Sequence, residues 1–102
     1  MPKLICTARR VGDLESRTEE YEVAFAAGRG TLRRLRIEYQ AARAYEINAG
    51  LDAAVEMARE AIAEADPALR GPTDEALAKF SWRTIQSAKY ERGEPMSSSL
   101  DY

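Results

Sequence analysis

Apolar residues recur at three- and four-residue intervals through most of the chain, the spacing that places them on one face of an α-helix. Val11, Leu14, Thr18, Tyr21 and Phe25 form the first such series, with Asp13 placed to cap it and Gly28 to terminate it. Leu4 to Ala8 reads either as an extension of this helix or as a separate arm, because a lone short strand would have no partner in an otherwise helical chain. The conformation of residues 1–12 is left open.

The second helix is expected from Thr31, a plausible N-cap, to about Asn48, with Leu32, Leu35, Tyr39, Ala42 and Ala49 on one face. In "NAGLD", Gly50 suits the left-handed C-terminal position and Asp52 can cap the helix that follows, which makes a tight αα-hairpin. That third helix, 52–65, aligns Leu51, Val55, Ala58, Ile62 and Ala65. Two prolines and a glycine in "DPALRGPTD" break the pattern. Thr73 or Asp74 then caps a fourth helix, 75–92, whose stripe is Leu77, Phe80, Thr84, Ile85 and Ala88. "GEPMSSSLDY" has the composition of a frayed tail. The pattern predicts an all-α protein. It is a compact four-helix bundle-like domain over 1–92, with a central antiparallel αα-hairpin and a flexible C-terminal tail, 93–102.

Bulk composition narrows this picture without redirecting it. A chain of 102 residues, 45% apolar and 31% charged, has the make-up of one folded domain. No apolar run reaches the ~18 residues of a membrane span, and Leu4 to Cys6 is too short for a secretory signal core. A single cysteine forms no internal disulfide, which agrees with a reducing, cytoplasmic setting.

Catalytic chemistry is poorly supplied. The sequence contains no histidine, the usual general base and metal ligand, and Cys6 therefore has no imidazole to activate it. A carboxylate-bridged metal centre in a helical bundle normally pairs glutamates with histidines. These absences lead us to expect no enzyme activity, no metal and no cofactor.

Charge is segregated rather than mixed. Residues 28–45 hold five arginines against Glu38, whereas residues 46–66 hold six acids against Arg59. On a helical wheel Arg33, Arg36 and Arg43 share a stripe, with Arg29 just upstream, and Glu56, Glu60 and Glu64 form a second at four-residue spacing. In a hairpin turning at Gly50 the two stripes are expected to face each other as exposed ion pairs, worth ~0–1 kcal/mol each. Two alternatives stay open. Arg29, Arg33, Arg36 and Arg43 could follow a nucleic-acid backbone. Alternatively, the unpaired acids could imitate one and occupy a groove on another protein, as small anti-CRISPR-like proteins of phages and mobile elements do.

Trp82 falls off the main stripe of the fourth helix, near Lys89, with Tyr90 just beyond. An off-stripe tryptophan is a natural interface anchor. Ile37 and Val23, apolar but outside their helical stripes, are lesser candidates for the same role. The sequence therefore reads as a small non-enzymatic protein (an adaptor, assembly factor or inhibitor) that binds a protein partner. The binding residues are Trp82, Lys89, Tyr90, Glu56, Glu60 and Glu64. Homodimerisation stays open, nucleic acid is the lesser partner class, and no membrane association is expected.

Overall fold

In the computed structural model, strict alternation and not helical periodicity governs residues 3–11 and 20–27. Residues 2–11, 18–28, 33–40, 44–69, 71–89, 91 and 93–102 are described, with only the backbone at 18–19, 33–40 and 44–50. Three strands come first, β1 (Lys3–Val11), β2 (Thr18–Ala27) and β3 (Arg33–Gln40), followed by helices α1 (Ala44–Ala65) and α2 (Asp74–Lys89) and a last strand, β4 (Met96–Asp101). The strands form one antiparallel sheet in the order β3-β2-β1-β4.

The protein is thus α+β, and the expected all-α four-helix bundle is wrong. Its first helix is β2, and its second is β3 together with the start of α1. Nor is there a hairpin at Gly50, where α1 runs on as helix. Left-handed glycines occur among the described residues at Gly28, Gly71 and Gly93 instead. The expected flexible tail is also wrong, because β4 pairs with β1 from Lys3↔Asp101 to Ala8↔Met96. The physical reason is the same throughout. Leu4, Cys6 and Ala8 alternate with Lys3, Ile5 and Thr7, and Tyr21, Val23, Phe25 and Ala27 alternate with Glu20, Glu22, Ala24 and Ala26. In each strand one set is buried, which is the two-residue period of a half-covered sheet.

Both helices cover that buried face. α1 packs on β3 and β2, α2 on β1 and β4, and the helices touch each other. Here the apolar stripes read from the sequence do their expected work, with Ala54, Val55, Ala58, Ala61 and Ile62 of α1 buried alongside Leu77, Phe80, Ile85 and Ala88 of α2. Thr73 caps α2, its hydroxyl accepting from the Ala76 amide at 3.2 Å. At the other end Arg10 reaches from β1 to donate to the Lys89 carbonyl at 3.1 Å, satisfying one of the orphan acceptors of the last turn. Arg59 ties the helices together by pairing with Asp74 and donating to the Pro72 carbonyl at 2.9 Å.

The other face of the sheet is open. Arg9 pairs with Glu22 at 3.3 Å and Thr7 bonds Ser97 at 2.9 Å, both across neighbouring strands. Ile5 stands between them and the sheet end, 46% exposed.

Candidate functional site

Loss of the helical hairpin changes what the charges can do. Arg33 and Arg36 lie on β3, opposite Phe25 and Glu22 in the ladder. They belong to a strand and not to one arm of a helical hairpin, so the hairpin in which the arginines were expected to face Glu56, Glu60 and Glu64 is not formed. Arg29 and Arg43 lie outside the described residues, as does Tyr90. β3 also sets Arg34 opposite Ala24 and Glu38 opposite Glu20, so its register mixes charges of both signs instead of presenting a row of cations.

On α1, Asp52, Glu56, Glu60 and Glu64 are all exposed. Four-residue steps place them on one side of the helix, about 6 Å apart along the axis, in a row about 18 Å long. Its origin is local: Ala54, Val55, Ala58, Ala61 and Ile62 turn to the sheet, and the acids take the opposite side. Among the described residues, neither Glu56 nor Glu60 has an ion-pair partner, whereas Glu64 is engaged.

Beside the first half of this row, α1 and the start of α2 enclose a cleft of about 590 Å³. Asp52 and Glu56 form one wall, Asp74 and Glu75 the other, and Ala53, Val55 and Ala78 supply its apolar part. Asp74 and Glu75 sit in the first turn of α2, where a helix N-terminus favours negative charge. Each has a basic neighbour, Arg59 for Asp74 and Lys79 for Glu75 at 3.2 Å. The cleft therefore keeps its least compensated charge on the α1 wall. From the sequence Asp74 reads as a cap and Asp52 as a cap near the start of the acidic stripe, and neither points to the cleft. Its only local signal was the extension of the acidic four-residue series back to Asp52.

Trp82 follows Ala78 by one helical turn and so continues the same side of α2 beyond the cleft. It is half-buried and packed against the core cluster, which makes it part of the scaffold as well as of the surface. Lys89 is half-buried two turns further on, its carbonyl held by Arg10.

The buried polar groups are structural in character. Cys6 is fully buried, and desolvation pushes its thiol up to about 12 from an ordinary 9.0, with the Thr84 hydroxyl pulling more weakly downward. A thiol so placed is a poor nucleophile. Thr84 donates to the Phe80 carbonyl at 3.0 Å, and its oxygen then accepts from the Ser98 hydroxyl, which joins α2 to β4. Tyr102 has its hydroxyl buried without a partner among the described residues, and burial first, then the Asp66 carboxylate, raises its pKa. Among the described residues no three histidines, cysteines or carboxylates gather to hold a metal ion, and no helix is long and apolar enough to cross a membrane.

No family model, no curated protein and no solved structure matches this chain. Its function must be read from its own surface.

Proposed function

We propose that the protein is a non-catalytic binding module whose acidic α1 side docks on a basic surface of a protein partner. One observation carries the reading: Asp52, Glu56 and Glu60 are exposed in a row, and the arginine-rich segment read as their helical counterpart is a strand. Carboxylates arranged in this way raise the rate of encounter with a cationic surface and select against acidic ones. The cleft gives the row depth, since a lysine or arginine from the partner could lie between Glu56 and Glu75 with its aliphatic stem against Ala53 and Ala78. Trp82, one turn beyond Ala78, extends the contact with apolar surface and can hold a neighbouring cation against its ring.

Imitation of nucleic acid is a special case of this reading. A carboxylate every 6 Å is roughly half the linear charge density of one DNA strand, with its charge every 3.4 Å. Direct nucleic-acid binding is disfavoured by the mixed signs along β3 and by the Arg9–Glu22 pair beside it.

The test is capture from native host lysate with immobilised wild-type protein and with an E56K/E60K variant, each with and without nuclease. The expected result is a protein captured by wild type at low salt, retained after nuclease treatment, and lost from the variant while its unfolding midpoint stays unchanged. Competition between the captured protein's DNA or RNA and wild type then separates mimicry from simple docking. Equal capture by wild type and variant would remove α1 from the interface.

A further inference from the structure

We infer that β4 is a self-pairing edge, through which two copies of the chain join their sheets into one of eight strands. β4 ends the sheet order, and among the described residues its strand ladder runs on one side only, to β1. Its sequence, MSSSLD, carries no lysine, proline or bulge, the devices that normally keep such an edge from pairing.

Register decides which backbone groups are available. The Tyr102 amide donates to the Pro2 carbonyl at 3.1 Å, which makes Pro2 and Tyr102 a hydrogen-bonded pair. Hydrogen-bonded and non-bonded pairs alternate in an antiparallel ladder. Leu100, Ser98 and Met96 therefore direct their amides and carbonyls to β1. Ser97, Ser99 and Asp101 direct theirs outward, and all three are exposed.

A second copy fits this edge in one register better than in its neighbours. With Ser99 opposite Ser99 of the second copy, the outward residues meet as Ser97 with the second copy's Asp101, twice by symmetry, and about six hydrogen bonds form. Each Ser97 hydroxyl then faces a carboxylate that can accept from it. On the helix side Met96 meets the second copy's Tyr102, which extends its apolar cover, and Leu100 meets its Ser98. A shift of two residues would set Asp101 against Pro95, which has no amide to donate.

The strand contact is about 20 Å long, short for a stable interface. The helices lengthen it. α2 packs on both β1 and β4, so two copies of α2 would lie about 10 Å apart across the new seam, the distance at which helices pack. The association is a concentration-dependent dimer, and it leaves α1 and the acidic row on the outer flanks.

Sedimentation of the full chain over a range of concentrations tests this. Wild type should approach twice 11.4 kDa as concentration rises. Ser99→Pro removes only an outward amide, and Ser99→Lys sets two like charges against each other. Either should weaken the dimer about tenfold to hundredfold and leave the unfolding midpoint of the monomer in place. Should the proline variant not fold, the lysine variant carries the comparison. Ser99→Cys should give a disulfide-linked dimer on mild oxidation, since facing residues of a hydrogen-bonded pair stand about 5.5 Å apart, whereas Ser97→Cys should not. Cys6, being buried, does not interfere. A chain that stays monomeric throughout, a dimer that Ser99→Lys leaves intact, or equal crosslinking at both positions would overturn the assignment. Stoichiometric capture of an unrelated extended peptide in place of a second copy would do the same.

Discussion

Cys6 makes the stability of this protein fall in alkaline solution by an amount that can be worked out. The thiol is fully buried and its pKa moves from 9.0 to about 12 on folding, because burial disfavours the thiolate. For an acid whose pKa is raised in the folded state, that state holds its proton where the unfolded chain has lost it. Stability is therefore constant below pH 9 and declines between pH 9 and 12. Three units correspond to about 4 kcal/mol in all, of which about 1 kcal/mol is lost by pH 10 and about 3 kcal/mol by pH 11. A domain of this size has only ~5–15 kcal/mol to lose. Urea unfolding of wild type and Cys6→Ala at intervals from pH 8 to pH 11 measures it. The alanine variant begins less stable but should lose less with pH, and the two curves should converge. Tyr102, whose pKa is raised in the same sense, titrates in both proteins and drops out of the difference. Reaction with a disulfide reagent at pH 8 is an independent check, with the folded thiol expected to react about a thousandfold more slowly than the unfolded one. Parallel stability curves, or a folded thiol reacting within tenfold of the unfolded rate, would refute the burial argument.

Three further substitutions probe the fold. Phe25→Ala empties a fully buried site between the sheet and the helices and should cost about 3–5 kcal/mol, read as a fall in urea midpoint. Arg10→Ala removes the donor to the Lys89 carbonyl and should cost about 1 kcal/mol, with faster hydrogen exchange confined to the end of α2. Gly50→Ala should stabilise by about 1 kcal/mol if α1 is continuous there, and should destabilise if Gly50 were a left-handed turn between two helices, so the sign of the urea shift decides.

The helical half of the fold was legible and the sheet was not, for a reason visible in single residues. In α1 and α2 only the three-four spacing fits Leu51, Val55, Ala58 and Ile62, or Leu77, Phe80, Ile85 and Ala88. In β2 and β3 both periods fit part of the pattern. Tyr21 and Phe25, like Leu35 and Tyr39, are four apart and satisfy a helix. Val23 and Ile37, lying midway between them, satisfy only a strand. Those two residues looked like stray exposed apolar groups on a helix. Val23 is fully buried, and Ile37 stands opposite buried Tyr21 in the ladder. β4 was illegible for a different reason. Met96 and Leu100 alone carry little pattern, and the strand exists because β1 offers it an edge and Thr84 a hydroxyl for Ser98.

The error in period carried over into function. As a helix, residues 31–48 would have placed arginines beside Glu56 and Glu60 and explained both charge blocks at once. Residues 33–40 of that segment form a strand that answers to β2, where Arg36 stands opposite Glu22 and Glu38 opposite Glu20. The acidic row was legible because four-residue spacing within one helix needs nothing from the rest of the chain. The cleft beside it was not, because it requires α2 to dock with Asp74 and Glu75 facing Asp52 and Glu56. What reverses the functional reading is therefore a change of partner and not of charge. Acids expected to hold a hairpin together take the outer side of α1, where the basic surface proposed for a partner would meet Glu56 and Glu60.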